Sequence, residues 1–417
     1  MINNISVFQN HDIIKVIISN PIQFNIEVFI VFGLLFFIPN KKLNGDEAFL
    51  NRQLTNEVKG LAMLIIIIHH LCRHVVSNAN DLILFYDLGY VGVGIFLFLS
   101  GFGLMSSLIS KGDENFFLKK VIRIYIPFVF MNLIWIFSDY YFLNIHQGIF
   151  KNIACIIGII ISDRNYWYIP FLILWYIVFH FVMKLKITNK YKIFILLFVS
   201  IIIIVNSTSG NGRGNAFSFP FGIIVALYKD RVEILYNNIK LKKTIVFKLF
   251  LICGVLMYFF YLVSNISTRF HLGKLLGVIY IISIGIIYCF YRKSIILEKL
   301  SLMILLLVST TIFSLSDTFI YVSLSIYTLF SIVFVLLIVD NIKLHKTSIF
   351  FEFLGEISFE LYLIHGALMY SYDFVLYRLP IQISFIIYLI GIILISAILN
   401  KLFNSINKKL NHVFINN

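Results

Sequence analysis

Stretches long and apolar enough to cross a bilayer recur along almost the whole chain, separated by short polar gaps. A spanning helix needs about 20 mainly apolar residues, because each adds about 1.5 Å toward a core about 30 Å thick. The runs lie at roughly 22–38, 60–76, 88–110, 122–143, 166–184, 191–207, 216–229, 244–263, 274–291, 299–316, 319–340, 352–372 and 380–400. The run at 216–229 is the weakest, and 150–161 reads as a re-entrant or additional segment. Within lipid only helices and closed barrels satisfy every backbone N–H and C=O. The alternating ten-residue pattern of barrel strands is missing, so the spans are helices. The sequence predicts an all-α, polytopic transmembrane helical bundle of about 10–13 spans. Composition agrees. Of 417 residues, 60% are hydrophobic and 13% charged, against about 25% charged in soluble domains. Too few polar side chains exist to cover a soluble enzyme, a secreted disulfide scaffold or a disordered chain.

The net charge of +14 would suggest nucleic acid in a soluble protein. Here the cations sit in alternate loops, so no nucleic-acid partner is expected. Loops at 39–59, 111–123, 184–192, 229–243, 292–299 and 341–348 and the tail after Lys401 are basic. Those at 77–87, 208–215, 264–273, 317–318 and 373–379 carry few cations. The positive-inside rule puts the basic set in the cytoplasm, with the C-terminus inside and the N-terminus outside. The predicted location is therefore the cytoplasmic membrane, crossed many times. Residues 1–54 form an extra span and cytoplasmic loop, 55–403 the membrane domain and 404–417 a short tail. Cys72, Cys155, Cys253 and Cys289 form no CxxC pair and read as buried free thiols.

Ionisable groups inside spans are costly and mark functional sites by default. The densest set is Lys59, followed after ten residues by His69-His70, then Arg73 and His74. Eleven steps of about 100° return almost to the starting face, so Lys59 and His70 share a stripe about 16 Å apart along the axis. Lys59 is placed at the cytoplasmic edge and His70 at or beyond mid-membrane. Gly89-Tyr-Val-Gly-Val-Gly-Ile-Phe-Leu-Phe-Leu-Ser-Gly-Phe-Gly103 is neither a dinucleotide fingerprint nor a nucleophile elbow. Its small residues, Gly103 among them, fit close helix contact. Lys120 and Arg123 are neighbours on one turn at the inner face, a membrane anchor or a cradle for a phosphate-bearing ligand. In Gly355-Glu-Ile-Ser-Phe-Glu-Leu-Tyr-Leu-Ile-His365, the residues Ser358, Tyr362 and His365 fall on one helical face, and Glu356 and Glu360 on another. No HExxH or carboxylate–histidine cluster has metal spacing, so no metal is expected.

Together these segments resemble the acyltransferase-3 family of integral membrane acyltransferases, over about residues 55–400. The resemblance rests on Lys59-x10-His70, Val91–Gly103, Lys120/Arg123 before Pro127, Trp167-Tyr168, Arg213 with Phe219-Pro-Phe-Gly222, and Gly355–His365. Lys59 and Lys120 stand where the family commonly has arginine, and Gly366 where a proline is often near. The resemblance implies transfer of an acyl group, usually acetyl from acetyl-CoA, to a carbohydrate hydroxyl, as bacterial members do to cell-envelope glycans. It implies no permanently bound cofactor, with acyl-CoA as donor substrate, and a carbohydrate acceptor and the lipid bilayer as partners. On this reading His70 is the general base. His69, His365, Tyr362, Ser358 and Glu360 are further catalytic or substrate-binding candidates. Lys59, Lys120 and Arg123 bind the donor, and Arg213, Trp167 and Tyr168 the acceptor. His70 and His365 are expected to line one polar cavity with the three cations at its cytoplasmic mouth. A glycan or lipid flippase is the alternative, supported by helix count and intramembrane cations. No inverted repeat and no paired broken helices back it.

Overall fold

The computed structural model describes residues 16–20, 23–31 in part, 40–42, 50–76, 88–112, 120–160, 164–207, 210–234, 328–329, 332, 346–378 and 380–414. The predicted runs at 244–263, 274–291 and 299–316, and most of 319–340, lie outside the described residues. So do Cys253 and Cys289; Cys72 and Cys155 are buried free thiols.

The described chain is helical. Its helices are α1 (Arg52–His70), α2 (Leu88–Lys111), α3 (Ile126–Phe142), α4 (Ile149–Ile156), α5 (Tyr168–Lys184) and α6 (Asn189–Asn206). A single turn, α7 (Gly210–Gly214), leads into α8 (Ser218–Leu227), and α9 (Ile349–Glu356), α10 (Ser358–Tyr370) and α11 (Ile381–Phe414) complete the set. Five helical stretches among the described residues are long and apolar enough to cross a membrane: Arg52–Arg73, Gly89–Lys111, Ile122–Phe142, Asn189–Asn206 and Ile381–Val413. The protein is a multi-pass membrane protein.

Two short contacts locate the flanks of the first apolar run. Before it, Val16 bridges Val76, just beyond α1 and its terminal π-helical turn. After it, β1 (Asn40–Lys42) pairs antiparallel with β2 (Lys346–Ser348), and the Ser348 N–H donates to Glu57 near the start of α1. The two flanks therefore sit at opposite ends of α1. The ribbon also joins two of the basic loops predicted to share one side.

Several predicted boundaries change. α1 starts at Arg52, where the Asn51 side chain caps it by accepting from the Leu54 N–H at 2.8 Å. Lys59 is thus about 10 Å inside the helix rather than at its beginning. The run at 216–229 holds α8, about 15 Å long, and the helical path resumes at 229–234 beyond a turn at Tyr228. α4 has eight residues, exposes Ile149, Phe150 and Ile153, and is too short to cross. The predicted span 352–372 is broken: α9 ends at Glu356, Ile357 leaves helical geometry, and α10 begins at Ser358. Glu356 and Glu360 therefore belong to different helices, Glu356 exposed and Glu360 buried, and the Asn400 amide on α11 reaches the Glu356 carbonyl at 3.3 Å and the Glu360 carboxylate at 3.1 Å. α11 runs about 51 Å and continues through most of the segment expected as a tail.

Close backbone contact holds the interior together. A Cβ on Gly60 would run into the Phe351 carbonyl oxygen, and one on Gly355 into the Asn56 carbonyl oxygen. These two glycines let α1 and α9 touch main chain to main chain. Gly101 and Gly222 do the same for α2 and α8, against Phe219 and Phe98. Gly103 does not take part: it is exposed, and a Cβ there would meet nothing within 4 Å. Trp175, fully buried on α5, stacks on Phe219 at 5.2 Å and closes the core beside this contact.

Candidate active site

α1 carries both ends of the site. At its far end, His69 and His70 sit with ring centroids 5.0 Å apart, followed by the π-helical turn Leu71–Val75. Their environments differ. The His69 ring fills a notch over Gly89, where any Cβ would collide with it. His70 is half-buried and faces α10, its ring centroid 5.3 Å from that of His365. Residues nearly 300 positions apart are thereby brought together.

His365 is fully buried. Its Nδ1 lies 2.9 Å from the Tyr362 carbonyl and 3.1 Å from the Leu361 carbonyl. Carbonyls only accept, so Nδ1 carries the proton and Nε2 is left as the basic nitrogen. Nε2 has no hydrogen-bond partner among the described residues. The Tyr388 hydroxyl donates to the His365 carbonyl at 2.6 Å and holds this turn of α10. The Tyr362 ring lies 5.8 Å from that of His365, and Tyr168 meets Tyr362 edge-on at 5.4 Å. Ser100 lies beside both tyrosines, Tyr168 and Tyr176.

At the other end, Lys59, Lys120 and Arg123 lie close enough to act on one another's charge. Lys120 Nζ sits 5.3 Å from the centre of the Tyr176 ring. Burial, with Arg123 and Lys59 nearby, pushes the Lys120 ammonium down to about 8. Arg123 is exposed and marks the mouth of this end. Lys59, His69 and His70 are thus carried by one helix, α1.

The other candidates divide. Ser358 donates to the Gly355 carbonyl at 2.8 Å, which ties off the break before α10. Glu360 accepts from Asn400 on α11 at 3.1 Å and feels the Arg123 charge, so it belongs with the cation end. Trp167 closes the 3-10 turn Arg164–Trp167 and packs on Phe171. Arg213 lies on α7, a separate part of the wall packed against α6. Among the described residues no group of three or more His, Cys, Asp or Glu is arranged to hold a metal.

Sequence reasoning missed the aromatic wall. Tyr166 is buried; its hydroxyl accepts from Trp135 at 2.6 Å and donates to the Leu363 carbonyl. Its ring stacks on Tyr362 at 6.3 Å. Asp139 accepts from Tyr372 at 2.5 Å, and Tyr372 stacks on Trp135 at 5.4 Å. The available signal was Asp139 itself, a carboxylate near the end of an apolar run.

Fold and site together define a multi-pass membrane protein built around an interior histidine pair. The family model of an acyltransferase domain, acyltransferase 3, matches residues 57–307. The chain belongs to the acyltransferase 3 family and is a membrane acyltransferase, which takes an acyl group from a donor to an acceptor. No curated protein and no solved structure matches it. The matched stretch contains Lys59, His69, His70, Lys120, Arg123, Trp167, Tyr168 and Arg213; Ser358, Glu360, Tyr362 and His365 lie beyond it.

Proposed function

We propose that the protein is an O-acyltransferase of the bacterial cytoplasmic membrane that moves an acyl group, acetyl in the simplest case, from acyl-CoA to a hydroxyl of a surface or lipid-linked glycan. The observation that carries this reading is the His70–His365 pair, 5.3 Å apart, at the opposite end of α1 from a cluster of cations. CoA is a polyanion, and Lys59, Lys120 and Arg123 suit its phosphates. The donor would enter at the cation end and extend its thioester along α1 toward His70.

An alcohol is almost entirely un-ionised at neutral pH and needs its proton removed as it attacks. A neutral imidazole with a pKa near about 6.5 suits that role. His70, half-buried and facing His365, takes the proton as the acceptor oxygen bonds to the thioester carbon. The tetrahedral intermediate collapses, the C–S bond breaks, and the imidazolium returns the proton to the CoA sulfur. The products are an O-acyl ester and free CoA, with no redox change. His365, its tautomer set by two carbonyls, keeps a basic Nε2 beside the His70 ring and supports the charged His70. His69 is a packing neighbour.

The test uses full-length protein in lipid nanodiscs with labelled acetyl-CoA and a cell-envelope glycan extract. Acceptor-dependent release of CoA, lost in His70→Ala, is expected. CoA release unchanged in that variant removes His70 from the mechanism.

A further inference from the structure

α5 runs between the two ends of the site in the direction opposite to α1. Its first residue, Tyr168, meets Tyr362 edge-on at 5.4 Å, and the Tyr362 ring lies beside His365. Eight residues later, about 12 Å along the axis, Tyr176 reaches the cations. Lys120 Nζ lies 5.3 Å from the centre of the Tyr176 ring. That ring is buried and fixed by its neighbours. It packs on Phe219 at 6.1 Å, Phe219 is itself stacked on Trp175, and Ser100 of α2 lies beside the ring. The chemistry above gives Tyr176 no part.

Lys120 needs such a surface. Arg123 stands three residues on and Lys59 approaches from α1, and both repel its ammonium. Glu360 on α10 is close enough to feel Arg123. Among the described residues no carboxylate makes an ion pair with Lys120. Lysine is also long and flexible, and holding it in one place costs rotamer entropy. Repulsion and entropy together would spread the ammonium over many positions. An aromatic face carries the negative part of the ring's quadrupole and attracts a cation within about 6 Å. The attraction is strongest where water is excluded, as it is beside a buried ring. Tyr176 thus does for Lys120 what a carboxylate would do, with one difference. A carboxylate would neutralise the charge, whereas a ring leaves it whole for an anionic ligand.

We infer that Tyr176 is a positioning residue for the donor: its ring face holds the Lys120 ammonium where the phosphates of acyl-CoA bind. The inference rests on the reading of Lys120 as a donor contact. Tyr176 touches no reacting atom and acts through Lys120. Its contribution is preorganisation, because a cation fixed before the ligand arrives loses less freedom on binding. The ring also favours the charged form of a lysine that burial, Arg123 and Lys59 push down to about 8. A ring requirement fixes which substitutions are tolerated. Phenylalanine keeps the face and loses only the hydroxyl. Leucine and methionine keep apolar bulk and lose the quadrupole.

The experiment is equilibrium binding of radiolabelled acetyl-CoA to full-length protein in nanodiscs, which needs no turnover. Wild type, Tyr176→Phe, Tyr176→Leu, Lys120→Ala and the double variant Lys120→Ala/Tyr176→Leu are compared. At about pH 7, Tyr176→Leu should weaken binding about three- to tenfold, and Tyr176→Phe less than about twofold. The double variant should bind as Lys120→Ala does, because the ring then has no ammonium to hold. The pH above which binding weakens should fall in Tyr176→Leu and stay at the wild-type value in Tyr176→Phe. Where Tyr176→Leu does not elute as a single species, Tyr176→Met makes the same test with a more adaptable side chain. Equal weakening by Tyr176→Phe and Tyr176→Leu puts the effect on the hydroxyl and overturns the ring's role. Losses that multiply in the double variant overturn it too. So does wild-type affinity in folded Tyr176→Leu when Lys120→Ala binds weakly; the donor contact then stands without the ring. Wild-type affinity in Lys120→Ala, or no binding by the wild type, overturns the donor contact itself and this inference with it.

Discussion

The two ends of the interior differ in what they can recognise. The end near Arg123 carries three cations within one another's electrostatic reach, with Glu360 close enough to feel the Arg123 charge. The end near Asp139 carries rings, hydroxyls and amides, joined by hydrogen bonds from Trp135 to Tyr166 and from Tyr372 to Asp139. A cation cluster binds by charge: it is strong, salt-sensitive and tolerant of ligand shape. A wall of rings and amides binds by hydroxyl pattern and shape, and responds little to salt. The histidine pair stands between them. Under the proposed acyltransfer, the cation end is the one suited to a phosphate-rich donor.

The largest expected effect falls on the centre. His70→Ala should lower acyl transfer by about 10²–10⁴-fold at near-normal membrane abundance, the usual contribution of a general base. His69→Ala should cost far less, since that ring fills a packing notch over Gly89. His365→Asn keeps an N–H for the Leu361 and Tyr362 carbonyls but removes the basic Nε2. It should fold normally and lose about 10-fold or more in rate. Full activity in that variant would reduce His365 to a structural part of α10 and break the idea of a shared centre.

Much of this was legible in the sequence. Lys59 and His70 share a stripe because helical periodicity holds along one uninterrupted apolar run. The meeting of His70 with His365 follows from counting depth along two helices that start on the same side. The break at Ile357 was not legible, because no glycine or proline stands at that position. The chain stops there because Gly355 must press against Asn56, and Ser358 ties back to the Gly355 carbonyl. The Asp139–Tyr372 bond joins residues 233 positions apart and leaves no local pattern. Gly103 shows the opposite error: a motif of small residues marks a face, but not every member of the motif touches a neighbour.

The cation end should respond next most strongly. Lys120→Ala and Arg123→Ala should each raise donor KM by about tenfold with kcat little changed, the signature of lost ground-state binding. The wild-type donor KM should also climb with ionic strength while the acceptor KM stays level. Equal salt dependence of both constants would dissolve the contrast between the two ends.

The smallest effect is also the most specific. Lys120 has an ammonium pushed down to about 8, first by burial and then by Arg123 and Lys59. A lowered lysine value means that the charge is present below that pH and is lost above it. Phosphate monoesters lose their second proton near about pH 6, so the donor's own charge is constant above about pH 7. Donor KM should therefore be flat near about pH 7 and rise about three- to tenfold by about pH 9, as one charge-assisted contact is lost. Acceptor KM should not follow, because no group of the Asp139 end is invoked in that range. Lys120→Arg should abolish the rise, since a guanidinium stays protonated throughout. Steady-state donor titrations across that range in wild-type and Lys120→Arg protein decide the matter. A flat wild-type KM, or the same rise in both proteins, would take Lys120 out of the donor contact and leave Arg123 and Lys59 to hold it.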